Sequence, residues 1–183
     1  MPPQTLTPWR LQPSQLRPGG AAPPSETVVL GAPWAPGVSS AVRGTALHLA
    51  LRVMLTRPDR ADALTAATGL DAETIDLVAA RGAALRRWVT EAGFPDFSCE
   101  IPIAGLSLEG AEIPGTVDLL ATGPAGAMLV DHKTGGSGEG LGPHWPQLNA
   151  YARILRDAFP QFPVRRVAIF WVDHGRLELA AVE

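Results

Sequence analysis

Two short apolar segments, GTVDLL at residues 115–120 and MLVDHKTG at residues 128–135, decide the fold of this chain. Both are rich in aliphatic side chains and both contain an aspartate, which is typical of buried strands that lead into a site. Because side chains two residues apart lie on the same face of a strand, Asp131 and Lys133 are predicted to point to one side and His132 to the other.

If the two strands are neighbours, Asp118 from the first segment joins Asp131 and the ammonium group of Lys133 from the second. Buried charges are costly unless they pair with each other or bind a metal. We therefore predict that this cluster is the functional site and that the rest of the chain supports it.

The composition describes one soluble globular domain, because 46% of the 183 residues are hydrophobic and 18% are charged. The formal net charge of −3 is not that of a typical nucleic-acid binder, so contact with DNA would need a local arginine cluster or another polypeptide. The single cysteine, Cys99, excludes an internal disulfide and suits a reducing compartment. The sequence contains no evident signal peptide or membrane span, and we expect a cytoplasmic protein without a membrane contact.

Residues 1–38 form a proline-rich segment that holds nine of the eighteen prolines. Such a density of proline prevents a long helix and favours extended chain. We interpret residues 1–38 as an extended strap that lies across a surface of the domain at 39–183. A flexible N-terminal tail is the alternative.

Three helices are predicted after the strap. The first begins at a serine cap (residue 39 or 40), ends near residue 56 and directs His48 inward with its leucines. The second covers about 59–67 and the third about 72–91. The arginines of the third helix predict either a solvated face or a patch that contacts DNA: Arg81, Arg86 and Arg87.

Six strands and one further helix are predicted downstream, where the apolar period changes to two. Five strands are placed at about 97–103, 113–121, 127–132, 164–172 and 176–182, and the segment 106–110 is predicted to hold a short strand followed by a Glu-Gly turn. A helix at about 144–159 separates the fourth strand from the fifth, and a glycine-rich connection at 135–142 precedes it. This order predicts a mixed α/β domain.

The polar residues of this region resemble the core motifs of the PD-(D/E)XK nuclease superfamily: Asp118, then DHK at 131–133, then Gln147 and Tyr151. The upstream GTALH at 44–48 resembles the glycine and histidine of the RecB/AddA-type branch. The strand segments, together with LQPSQL at 11–16, are similar to the C-terminal nuclease domain of AddA-type UvrD-like helicase-nucleases. The resemblance covers most of the chain and implies a restriction-endonuclease-like fold, with helices on both sides of a central mixed sheet. The sequence contains no Walker A or helicase motif, so the motor itself is absent.

The resemblance also implies a divalent metal, Mg²⁺ or Mn²⁺, held by His48, Asp118, Asp131 and the backbone carbonyl of His132. Mg²⁺ prefers oxygen ligands, and the imidazole of His48 favours Mn²⁺ slightly more than a pure carboxylate site would. An iron–sulfur cluster, found in some relatives, is excluded because it requires four cysteines.

In the same family pattern Lys133 positions or deprotonates the attacking water, while Gln147 and Tyr151 order the site and contact the DNA backbone. The implied function is a metal-dependent deoxyribonuclease of DNA repair or recombination, acting as an exonuclease rather than an endonuclease. The implied partners are DNA and a UvrD-like helicase motor or an AddB-type subunit.

Simpler interpretations exist for single residues. His48 could be an ordinary core histidine, and Gln147 and Tyr151 could belong to a helix surface. Glu100 could enter the site as a further acid or face solvent on an edge strand, and of the two we favour solvent.

Two alternatives concern the whole protein. A metallohydrolase could use His132, His144 and His174, although their spacing matches no zinc signature. The domain could also be a non-cleaving DNA-binding or scaffolding module of a helicase complex, and salt-dependent retention of DNA without cleavage would favour that interpretation.

Overall fold

The computed structural model describes residues 9–16, 22–34, 41–135 and 140–182. Three short 3₁₀ turns accompany the regular elements, at Pro13–Gln15, Pro58–Ala63 and Gly142–His144. The helices and strands in chain order are β1 (Glu26–Val29), α1 (Ala41–Thr56), α2 (Leu64–Thr68), α3 (Ala72–Glu91), β2 (Asp96–Leu106), β3 (Glu112–Gly123), β4 (Gly126–Lys133), α4 (Trp145–Ala158), β5 (Val164–Trp171) and β6 (Arg176–Ala181).

All six strands belong to one mixed sheet in the order β1-β6-β5-β4-β3-β2. The pair β4 and β5 is parallel and the other neighbouring pairs are antiparallel. Parallel neighbours require a long crossover connection, which α4 provides. The predicted α/β fold, a central mixed sheet flanked by helices, is confirmed.

The sheet separates two hydrophobic cores, and β4 contributes to both. Met128 and Val130 pack with α1 and α3, whereas Ala127 and Leu129 pack with α4 on the opposite face. A strand that is buried on both faces has a continuous apolar sequence, which explains the segment that precedes Asp131. The charged end of this strand is thus held between two packed layers.

The predicted second helix at 59–67 is only partly correct. A 3₁₀ turn occupies Pro58–Ala63, and α2 is limited to Leu64–Thr68. Proline at the first position starts the tight turn, and Gly69 in a left-handed conformation ends the short helix.

The short strand predicted within 106–110 is wrong, because β2 continues without a break to Leu106, whereas the Glu-Gly turn predicted in the same segment is confirmed at Glu109 and Gly110. The Ser107 hydroxyl accepts hydrogen bonds from the backbone N–H groups of Glu109 and Ala111. A serine that binds its own downstream backbone in this way favours a turn over a strand.

Part of the predicted strap belongs to the sheet. The edge strand β1 pairs antiparallel with β6, and the N–H groups of Leu30 and Trp34 then donate to the carbonyls of Gly175 and Asp173. Residues 17–21 and 35–40, which include the predicted serine cap of α1, lie outside the described residues. The division of the chain at residue 38 therefore stays a prediction.

Two of the three arginines on α3 are not available as a solvated or DNA-contacting face. Arg81 is buried, lies over the Trp34 ring and donates to the Ala32 carbonyl. The Arg86 guanidinium lies 4.4 Å from the centre of the Phe97 ring and donates to a backbone carbonyl of α1. Long apolar stems and planar guanidinium groups allow arginine to serve as a packing residue, which helical periodicity does not reveal.

Candidate active site

The site forms where β3 and β4 separate. Their ladder runs from the pair Gly123 and Gly126 to the pair Leu119 and Val130, and beyond it the end of β4 pairs only with β5. At this point the Asp118 carboxylate accepts a hydrogen bond of 2.7 Å from the backbone N–H of His132. The side chain of Asp118 thereby satisfies a backbone donor that has lost its strand partner.

On the α1 face of the sheet, Asp118 lies beside two histidines. His48 Nδ1 is 3.9 Å from Asp118 Oδ2, and the His48 and His132 rings meet edge-on with centroids 5.9 Å apart. One potential ligand atom from each of the three side chains lies within 4.8 Å of the others. His48 points inward as predicted, toward Asp118 and His132 of the sheet, but its side chain stays 30% exposed at the margin of the core.

His132 is buried in a way that suits a ligand. Burial, with a smaller contribution from His48, lowers the pKa of its imidazole to about 3, so the ring is neutral at physiological pH. Its Nε2 atom is buried and has no hydrogen-bond partner among the described residues. A neutral imidazole with an unused nitrogen can coordinate a metal without losing a proton.

On the α4 face, Asp131 is the centre of a separate group. Lys133 Nζ lies 2.8 Å from Asp131 Oδ2, and Gln147 Nε2 donates to Asp131 Oδ1 at 3.4 Å. The prediction that Asp131 and Lys133 share one face while His132 occupies the other is confirmed. The Asp131 side chain is only 10% exposed, and the ammonium of Lys133 offsets the cost of burying its charge, although Asp131 Oδ2 accepts no hydrogen bond from the described residues.

Tyr151 is buried beneath this group and does not belong to a solvated helix surface. Burial raises the pKa of its phenol, while hydrogen bonds with Gln147 and the Thr116 backbone act in the opposite direction. Gly115 provides the space, because a Cβ at that position would overlap the Tyr151 hydroxyl. The glycine of GTVDLL is therefore required by this close approach.

A cavity of about 570 Å³ opens between α1 and the paired strands β2 and β3. Glu100 and Asp118 line it from the sheet, opposite His48 and Arg52 from the helix. Glu100 is solvent-exposed, as we favoured, yet it faces solvent inside this cavity. Its place follows from the antiparallel pairing of β2 with β3, in which the residues on either side of Glu100 lie opposite those on either side of Asp118, a pairing that the sequence pattern alone did not specify.

The backbone of Glu100 has an unusual conformation, with a φ of 55°. It is the one positive-φ residue other than glycine among the described residues. Left-handed conformations of this kind are uncommon for non-glycine residues and concentrate at functional sites. They also change the direction of the side chains that follow, and β2 contacts the α1 core through Cys99 but the α4 core through Ile101.

Other reactive side chains lie apart from these groups. The His144 ring contacts Trp171, and the metal-compatible group that contains His132 includes neither His144 nor His174 among the described residues. Burial raises the pKa of the Cys99 thiol to about 11, so it is protonated and unsuited to act as a nucleophile.

A family model of the PD-(D/E)XK nuclease superfamily matches residues 27–179. The chain belongs to this superfamily. Membership implies a nuclease that uses a divalent metal ion. None of the curated proteins matches the chain. A solved structure titled "Crystal structure of SSO0001" is similar at 18% identity over 66% of this chain and 59% of that one, with a TM-score of 0.30.

The donor atoms of this PD-(D/E)XK domain fit a divalent cation. His48, Asp118 and His132 supply two imidazoles and one carboxylate, and the buried Nε2 of His132 lacks any other partner among the described residues. Asp131 is not a member of this group and instead contacts Lys133. The predicted metal-binding roles of Asp131 and of the His132 carbonyl therefore stay predictions.

No helix within the described part of the chain is both long and apolar enough to cross a bilayer.

Proposed function

We propose that this PD-(D/E)XK domain is a metal-dependent DNA nuclease that hydrolyses phosphodiester bonds in repair or recombination. The observation that carries the proposal is the arrangement at the end of β4. Lys133, whose ammonium pairs with Asp131, points to the α4 face of the sheet, and the neutral imidazole of His132 points to the α1 face. Asp118 lies where β3 and β4 separate. A phosphate at this opening can meet both a metal-compatible group and an oriented ammonium.

We infer that the metal is Mg²⁺ or Mn²⁺, held by His48, Asp118 and His132. A bound divalent cation polarises the phosphate and lowers the pKa of a coordinated water. Imidazole donors suit Mn²⁺ better than Mg²⁺, which prefers oxygen ligands. The geometry therefore favours tighter binding of Mn²⁺ than of Mg²⁺.

Besides the metal ion, the site has a positive charge from the protein, the ammonium group of Lys133. Its ion pair with Asp131 keeps the ammonium oriented, and Gln147 restrains Asp131 from the other side. An ammonium fixed in advance stabilises the negative charge that develops during hydrolysis without reorganising at that moment. Tyr151 supports Gln147 from below, so the α4 residues act mainly by positioning.

We further propose that the domain is of the RecB/AddA type, acts as an exonuclease and cooperates with a UvrD-like helicase motor or an AddB-type subunit. The segments GTVDLL, LVDHKT and GTALH resemble motifs of the RecB/AddA-type branch, and this resemblance supports the assignment. The net charge of −3 supports a partner that supplies much of the DNA affinity, because an acidic chain gains little from counterion release.

The test is cleavage of end-labelled single- and double-stranded DNA by the purified chain in Mg²⁺, Mn²⁺ or EDTA. We expect metal-dependent product that falls by at least about 100-fold in Lys133→Ala, because an oriented charge at the reacting phosphate is lost. Asp118→Ala should abolish product, while circular dichroism shows that both variants remain folded. Wild-type rates in either folded variant would contradict the site assignment.

The same net charge also favours a second function, a non-cleaving DNA-binding or scaffolding module. Salt-dependent retention of DNA without product in any metal would support that function and contradict the nuclease.

A further inference from the structure

Arg52 lies in the wall of the site cavity without an assigned role. One side of α1 lines the cavity at regular helical spacing, with Ala41, Gly44, Thr45, His48 and Arg52. Arg52 follows His48 by four residues, so the two side chains are neighbours along the helix. Its side chain is half-buried, and it is the one arginine or lysine among the described residues that line the cavity.

The guanidinium of Arg52 has no internal partner that explains it. Within the described ranges the structure records neither a hydrogen bond nor an ion pair for this side chain, although Glu100 and Asp118 line the same cavity. Nearby arginines behave differently, since Arg57 pairs with Asp59 and Arg86 packs on Phe97. Arg52 thus keeps its donors available inside the cavity.

An anionic substrate needs such a group. A DNA strand that approaches Asp118 and Glu100 meets two carboxylates, and the resulting repulsion must be offset by cations. A guanidinium offers a planar pair of donors that matches two oxygens of one phosphate. Four residues, about 6 Å along the axis of α1, separate Arg52 from His48. This separation is similar to that between successive phosphates of one nucleic-acid strand.

We propose that Arg52 binds the phosphate adjacent to the one that lies at His48 and Asp118, and so sets the register of the DNA strand in the cavity. The proposal rests on the proposed nuclease function for its substrate. Because the bound phosphate is not the one that reacts, the contact is equally strong before and during cleavage. It therefore contributes to binding and not to the chemical step.

The experiment compares Arg52→Gln and Arg52→Lys with Arg87→Gln, which removes the same charge from an exposed position on α3. Affinity for a fluorescent single-stranded oligonucleotide is measured by anisotropy in Ca²⁺, between about 50 and 200 mM salt. We expect Arg52→Gln to weaken binding by about tenfold at low salt and to reduce the salt slope by about 0.7 to 1. Arg52→Lys should keep the slope and recover part of the affinity, because it keeps the charge but loses the paired donors.

Cleavage kinetics provide the second measurement. In Mn²⁺, Arg52→Gln should raise KM by about tenfold and change kcat by less than about threefold. The proposal would be overturned if Arg52→Gln had the same DNA affinity and salt slope as Arg87→Gln. It would also be overturned if the wild-type protein bound no DNA. If the wild-type protein binds DNA with the expected dependence on Arg52 but cleaves none, the nuclease function fails and the phosphate contact stands.

Discussion

The two faces of the sheet at the end of β4 differ in how far their polar groups satisfy one another. On the α4 face, Asp131 is in contact with Lys133 at 2.8 Å and with Gln147 at 3.4 Å. On the α1 face, His48 stands 3.9 Å from Asp118, and Nε2 of His132 is buried without a partner among the described residues.

We propose from this difference that the two faces have different roles within one site. Groups that already pair are held in place and lose little mobility when a substrate arrives, which suits orientation and electrostatic stabilisation. Groups that are buried and unpaired carry a free-energy cost that an incoming cation removes. We therefore expect metal binding to depend on the α1 face and the orientation of Lys133 to depend on the α4 face.

The largest expected effect separates the two faces directly. Asp118→Ala should weaken Mn²⁺ binding by at least about 100-fold, because it removes the carboxylate of the metal-compatible group. Lys133→Ala should leave Mn²⁺ affinity unchanged or slightly higher, because it removes a nearby positive charge. Isothermal titration calorimetry of both variants measures this, and an equal loss in the two would show that the faces do not act separately.

An intermediate effect is expected from Gly115→Ala, which disturbs only the α4 face. The new methyl group must displace the buried Tyr151 hydroxyl, so the free energy of unfolding should fall by about 1–3 kcal/mol. Gly142→Ala is the matched control, since a Cβ there meets no atom within 4 Å.

Urea denaturation gives the stabilities, and combining Gly115→Ala with Tyr151→Phe should recover part of the loss because the overlapping hydroxyl is removed. A Gly115→Ala protein as stable as the Gly142→Ala control would mean that Tyr151 does not occupy this position.

The smallest effect should come from Asp173→Ala, which disturbs the backbone that both faces share. Asp173 Oδ2 accepts from the Gly135 N–H at 2.7 Å, and the Lys133 carbonyl accepts from Val172, so these contacts fix the end of β4. Loss of one hydrogen bond should cost about 1 kcal/mol. Mn²⁺ affinity and kcat should then fall by similar, few-fold factors, whereas Asp173→Asn retains an acceptor and stays closer to wild type. A change confined to one of the two quantities would contradict a shared backbone role.

Several elements follow from sequence patterns alone. The predicted bounds 72–91 agree with α3, because apolar residues recur at helical spacing and Asp71 caps the first turn through the Thr74 N–H. The apolar segments before Asp118 and Asp131 mark β3 and β4, and the alternation of strand side chains correctly separates His132 from Asp131 and Lys133. These features depend on neighbours in the sequence, so local spacing is enough to predict them.

Other features depend on which elements meet, and only the tertiary structure decided them. Helical spacing placed Arg81 and Arg86 on α3 but did not indicate that Trp34 and Phe97 would cover them. The position of Glu100 in the cavity depends on pairing across β2 and β3 and on a positive φ. His132 meets His48 because α1 packs over the end of β4, 84 residues further along the chain. Periodicity determines the face on which a side chain lies, whereas its partner is set by the packing of distant segments, which no local pattern encodes.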